Sequence, residues 1–281
     1  EIADRDWSSD VCSSDLRKKY RIFAVEGVNL AREILHDDLL ISKVDSIFVK
    51  NSAVDEPEIS ELLCRAAALV DSKRIPDRSY MLADRLFDKL DFAEHGQGII
   101  VLIHTPPFLN PIELSDISGG DMDDCFCNML ILDKLQDPGN VGGMIRTAEA
   151  AGFTAIGIIR GTTDVYSPKC VRASAGSVFR MPMLDFQDVN GALAELNKYE
   201  YRTVVGDTCG IDIYAAEAEN FLRNNKRLAL IIGNEGNGVD PLLKNNAGLV
   251  VGIPMAGRVE SLNAGVAAAL MMYSMRHNNG K

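Results

Sequence analysis

LDKLQDPGNVGGMIRTA, residues 132–148, carries an apolar run through a proline-glycine turn into a helical one. Met129–Leu132 has strand character, Asp137, Pro138 and Gly139 are turn residues, and apolar spacing resumes over Val141–Ala151. Ligands in open α/β sheets sit beyond strand C-termini, so this turn is where chemistry is expected. Asn140 is either the cap of the new helix or a functional amide. Gly142 and Gly143 each cost roughly 1 kcal/mol against Ala in a helix, which predicts that another backbone or a ligand comes close. Arg146, six residues after Asn140, is expected on nearly the same helix side, with Glu149 as a ready ion-pair partner.

Two later stretches repeat the pattern of a strand emptying into a glycine loop. Residues 230–240, LIIGNEGNGVD, place Gly233, Gly236 and Gly238 at spacings that fail the G-x-G-x-x-G dinucleotide fingerprint, and no P-loop occurs. Residues 253–270, IPMAGRVESLNAGVAAAL, leave a strand through a Pro/Gly loop for an alanine-rich helix that Ser261 or Asn263 can cap. Three strand ends followed by glycine and polar side chains predict one shared pocket. His36, His95, His104 and His277 all lie outside these loops, which argues against a hydrolase triad and against a metal.

Outward from these loops, Ala155–Ile159, Arg202–Val205, Leu228–Ile232 and Leu249–Ile253 read as strands. Pro168–Ser174, Val189–Lys198 and Leu262–Arg276 read as helices. Strands apolar on both faces and alternating with helices predict a parallel sheet covered on both sides. Upstream, helical spacing over Gly27–Leu40 and Pro57–Val70, with strands at Val44–Val49 and Gly98–Ile103, predicts a small α/β domain. The Ser/Gly/Asp-rich stretch from Glu113 to Asp124 reads as a linker. The expected division is therefore 17–115, linker 116–127, and 128–281. Residues 1–16, EIADRDWSSDVCSSDL, offer little to bury, and Asp6–Leu16 reads in one frame as a translated sequencing adapter. That segment is expected to be non-native and is left out of the fold argument.

The chain of 281 residues has 29 Lys+Arg against 40 Asp+Glu, net −11, which counts against nonspecific coating of nucleic acid. The acidity is unevenly spread, however: residues 130–281 are neutral, with 15 basic and 15 acidic side chains. Arg17, Lys18, Lys19 and Arg21, and separately Lys169 and Arg172, are local basic groups. No apolar run reaches the roughly 18 residues of a membrane span. Cys125 and Cys127 lack a second Cys or His pair, so no zinc is expected, and reduced thiols in a cytoplasmic setting are the default.

At these residues the sequence resembles the SpoU family of RNA ribose 2′-O-methyltransferases, in the SPOUT class. Asn140, Arg146, Thr147 and Ala148 are similar to the family's first motif, and Gly233, Asn234, Glu235, Gly236 and Gly238 to its second. Ile253, Pro254, Met255, Gly257, Ser261, Leu262 and Asn263 are similar to its third, where Ala264 and Gly265 stand in place of a frequent Val-Ser. More loosely, residues 17–103 resemble a ribosomal-protein-like RNA-binding domain through Val25-Glu26-Gly27, Ala31-Arg32-Glu33 and His95 to Ile99. The resemblance implies a trefoil knot in the C-terminal α/β domain, a homodimer with the cofactor pocket near its interface, and S-adenosylmethionine as cofactor. It implies cofactor contacts from Gly233, Ile253, Met255 and Leu262. It also implies a catalytic cluster of Arg146, Asn140, Glu235, Ser261 and Asn263, in which Asn140 and Glu235 orient Arg146. Ribosomal RNA is the expected substrate; a tRNA target, or a noncatalytic RNA-binding scaffold on the same fold, are the alternatives.

Overall fold

A computed structural model describes residues 17, 19–90, 97–106, 108 and 127–278. Residues 1–16, Lys18, His95 and all of the expected linker except Cys127 lie outside the described residues. In chain order the first part forms β1 Ile22–Glu26, α1 Val28–His36, α2 Asp38–Ile41, β2 Val44–Lys50, α3 Pro57–Asp71, β3 Ser79–Leu82, α4 Asp84–Phe87 and β4 Ile99–His104. The remainder forms β5 Cys127–Asp133, α5 Pro138–Ala150, β6 Ala155–Ile159, α6 Pro168–Ser174, α7 Ser177–Arg180 and β7 Met183–Phe186. After these come α8 Val189–Lys198, β8 Arg202–Asp212, α9 Ala216–Asn224, β9 Arg227–Gly233, α10 Pro241–Asn245, β10 Leu249–Gly252 and α11 Ala264–Asn278.

The described residues fall into two compact units, one within Glu1–Pro106 plus Asp164–Phe179, the other within Pro107–Thr163 plus Arg180–Lys281. In the first, a sheet of order β1-β4-β2-β3 is antiparallel except between β2 and β3. The helical spacing of α1 buries the four positions the sequence marks, Val28, Ala31, Ile34 and Leu35. Asp164–Phe179, expected with the second domain, groups with this unit: Phe23 of β1 stacks obliquely on Tyr166, ring centroids 4.9 Å apart. β1 and β3 escaped the sequence reading, being short and flanked by charge.

The second unit holds a six-stranded sheet of order β10-β8-β9-β5-β6-β7, in which every pairing is parallel. All seven residues of β5 are buried, because helices cover both faces. Met129 and Ile131 of β5 and Ala229 and Ile231 of β9 pack with Val189, Ala192 and Leu196 of α8. Side chains alternate across a strand, so Leu130 and Leu132 point to the opposite face, the one carrying α5 and α11. Burying each such Leu or Ile stabilises the fold by about 2 kcal/mol. β8 and β10 pair from Leu249 with Val204, then slip: Val250 faces Val205 but Val251 faces Ile211, so residues 206–210 bulge from the ladder. Beyond β10 the chain returns across residues 253–263, and α11 packs against α5.

Candidate functional site

The C-terminal ends of β8, β9 and β10 open on a cavity of 970 Å³. Gly233, Ile253, Met255 and Leu262, the four expected cofactor contacts, all line it, as do Glu235, Ser261 and Asn263 of the expected catalytic cluster. Apolar wall comes from Ile232, Ala267 and Met271. Four carboxylates line the cavity (Asp207, Asp212, Glu235 and Glu260) and, among the described residues, no Lys, Arg or His does. Such a lining favours a cationic occupant.

The β9 loop is shaped by Asn234. Its Oδ1 accepts the N–H groups of Gly236 and Asn237 at 2.9 and 3.0 Å, and its Nδ2 donates to the Lys134 carbonyl at 2.9 Å. Short polar side chains hold loops in this way by standing in for backbone partners. Gly233 is required where the loop doubles back: a Cβ there would meet the Val239 nitrogen at 2.3 Å.

Asn140 links the strand ends. Its Nδ2 donates to Glu235 Oε1 at 3.2 Å, and its Oδ1 accepts from Asn263 Nδ2 at 3.1 Å. The cap of α5 is Asp137, whose Oδ1 accepts the Asn140 N–H at 2.8 Å, so the Asn140 side chain is free for this bridge. Asn263 does both things the sequence left open: its Oδ1 accepts the Gly265 N–H at 2.9 Å at the head of α11 while its amide reaches Asn140. Gly265 sits against this pair: a Cβ there would lie 3.2 Å from Asn263 Oδ1 and 3.5 Å from Asn140 Oδ1.

Asn140 and Glu235 bond each other, and within this chain Arg146 neither bonds to them nor lines the cavity. Six residues at 100° each turn it about 240° round the helix from Asn140. It is exposed, and Glu149, its expected partner, is held by Arg180 at 2.8 Å. A methyl group added at Gly143 would meet no neighbouring element within 4 Å, so no close backbone among the described residues explains this glycine. The basic N-terminal group is also less available than it reads: Arg17 is buried and ion-paired to Asp164 at 2.7 Å, and Lys169 and Arg172 have partners of their own.

The sequence reading passed over the end of β8. Asp207 and Thr208 enter the cavity on the bulge, and Asp207 pairs with Lys244 at 2.7 Å. Burial works to raise the Asp207 pKa, but the Lys244 ammonium and the Cys209 N–H outweigh it and hold the carboxyl below the usual range. A Gly-Asp-Thr run directly after an apolar strand was the available signal.

The SpoU rRNA methylase family matches residues 128–273, more than half of the chain and all of these loops. The chain belongs to that family. It is 30% identical to the 23S rRNA (guanosine(2553)-2′-O)-methyltransferase RlmP of Bacillus subtilis, over 97% of this chain and 95% of that protein. Among solved structures it superposes on the SpoU methyltransferase AviRb of Streptomyces viridochromogenes in complex with AdoMet. That match has a TM-score of 0.77 and 22% identity and covers 99% and 97% of the two chains. An AdoMet-bound rRNA methyltransferase from Sinorhizobium meliloti gives 0.75 at 23% identity, with 99% and 96% covered. These likenesses make the six-stranded unit a SPOUT fold. The SpoU cavity suits S-adenosylmethionine chemically: apolar wall for an adenine, loop backbone for its ring nitrogens, and carboxylates for a sulfonium and an ammonium.

Proposed function

We propose that this SpoU protein is an S-adenosylmethionine-dependent RNA ribose 2′-O-methyltransferase whose substrate is ribosomal RNA. The observation that carries the proposal is the Glu235–Asn140–Asn263 hydrogen-bond chain on the rim of an acidic cavity. The nearly full-length likeness to a 23S rRNA 2′-O-methyltransferase supports the choice of RNA. Residues 17–115 serve as the RNA substrate-binding domain and 128–281 as the methyltransferase domain, whose returning segment 253–263 closes the trefoil knot.

When bound, the cofactor supplies an electrophilic methyl group on its sulfonium, so the chain's own task is to place and activate a ribose hydroxyl. Gly233, Ile253, Met255 and Leu262 hold the cofactor. Asn140, fixed from both sides, keeps Glu235 and Asn263 at set positions facing the cavity, and Ser261 shapes the same wall. A ribose hydroxyl is a poor nucleophile until its proton is polarised or removed. A guanidinium is a lasting positive charge, and that of Arg146 meets the RNA from outside the amide network, stabilising negative charge on the 2′-oxygen or the adjacent phosphate. The enzyme works as a homodimer: Val266, Leu270 and Tyr273 of α11, 50%, 39% and 48% exposed, form an apolar stripe at helical spacing.

Mapping ribose methylation in RNA from cells with and without the gene tests the assignment. One 2′-O-methyl group lost from ribosomal RNA is the expected result; a loss confined to tRNA moves the substrate, and absence of S-adenosylmethionine binding by calorimetry makes the protein a scaffold. Arg146→Ala is expected to abolish turnover while leaving cofactor affinity intact.

A further inference from the structure

We propose that Asp133 is a positioning residue, its buried carboxylate fixing the 233–240 loop in the shape that binds cofactor by accepting the Asp240 N–H. The inference rests on the cavity being the S-adenosylmethionine site. Asp133 ends β5, is 1% exposed, and lies in register with Gly233 of β9. Its Oδ2 accepts the Asp240 N–H at 2.7 Å, whereas its Oδ1 has no partner. The next residue completes the grip: the Lys134 carbonyl accepts from Asn234 Nδ2, and the Lys134 ammonium pairs with the Asp240 carboxylate at 2.8 Å. β5 thus grips the loop at both feet, Asn234 and Asp240, and the close approach of Val239 to Gly233 leaves the loop no slack.

A carboxylate buried with one oxygen unpaired is unfavourable unless the other bond matters, and such a group calls for an explanation. The charged groups facing Asp133 are Lys134 and Asp240. Burial above all raises the Asp133 pKa, against the pull of the Asp240 N–H and Lys134, and the Asp240 charge adds to the rise. Burial thus favours the neutral acid while the Asp240 N–H favours the carboxylate, and burial prevails. The stability the buried group contributes is fullest below the ordinary carboxylate value and declines as pH rises through the raised one. What anchors the loop is the acceptor oxygen, not the charge.

Calorimetry with S-adenosylmethionine and amide hydrogen exchange, on Asp133→Asn and Asp133→Ala, test this. Asp133→Asn keeps an acceptor and is expected to bind cofactor within about 3-fold of the parent near neutrality and to lose the decline in stability as pH rises. Asp133→Ala is expected to bind about tenfold or more weakly, with faster exchange at Asp240 while β5 and β9 amides stay protected. Native affinity and slow Asp240 exchange in Asp133→Ala, or an equal loss in Asp133→Asn, overturn the proposal. If Asp133→Ala does not fold, Asp133→Asn decides by the same criteria. If the parent protein binds no S-adenosylmethionine, the cofactor reading falls, and Asp240 exchange still tells whether the grip exists.

Discussion

Replacing Asn140 with alanine removes two side-chain hydrogen bonds and little else. One runs to the Glu235 carboxylate and one comes from the Asn263 amide. A hydrogen bond to a charged group contributes about 1.5–3 kcal/mol and a neutral one about 0.5–1.5 kcal/mol, together about 2–4 kcal/mol. If both bonds hold the groups only in the reactive arrangement, that range is about 30- to 1,000-fold in kcat/KM. Glu235 is exposed, so water replaces part of what is lost, and the expected effect is in the lower part, about 30- to 100-fold. Helix α5 should not suffer, because its cap is Asp137 and the Asn140 N–H that Asp137 accepts survives the substitution. Thermal stability is expected to change little, and cofactor affinity likewise, since Asn140 does not line the cavity. Single-turnover transfer of labelled methyl to the RNA at saturating cofactor reads the effect, and calorimetry provides the control. Combining Asn140→Ala with Asn263→Ala should cost less than the product of the single losses, because the two share one bond. Asn140→Ala with kcat/KM within about 3-fold of the parent, or with cofactor binding lost in step with rate, refutes the reasoning.

Gly233→Ala should weaken S-adenosylmethionine binding at least tenfold and destabilise the protein by about 1–3 kcal/mol, read by calorimetry and thermal melting, because its methyl would overlap the Val239 backbone. Lys244→Met removes the ammonium that helps hold Asp207 below the usual carboxylate range. Asp207 therefore stabilises the fold above its ordinary value, and that contribution is lost as pH falls through the depressed one; the variant should begin acid unfolding at higher pH, which far-ultraviolet dichroism across a titration will show. Leu270→Glu places a charge in the exposed apolar stripe of α11 and should shift the protein to monomer in sedimentation, with far-ultraviolet dichroism at 25 °C unchanged.

Much of the architecture was legible because it follows local periodicity. Ala155–Ile159, Pro168–Ser174 and Val189–Lys198 occur as elements with the bounds that apolar spacing marks. β7 and α9 were not read: the first is four residues long, and the second, AEAENFLRN, buries only Ala218 and Leu222 among several polar residues. At the site, the structure joins Asn140, Glu235 and Asn263 in one hydrogen-bonded chain, while Arg146 lies about 240° round the helix from Asn140, as the helical period dictates. Asp133 was passed over because its importance lies in a backbone N–H 107 residues on.

The sequence by itself determined the longer strands and helices and the three glycine turns that follow strand ends, because those properties depend on neighbours within one or two turns of chain. Only the tertiary structure decided that Asn140 meets Glu235, 95 residues on, and Asn263, 123 residues on. It likewise decided that the β8 bulge brings Asp207 into the cavity. Those contacts depend on strand order and register, which place β9 beside β5 and β8 beside β10, and no local pattern encodes that order.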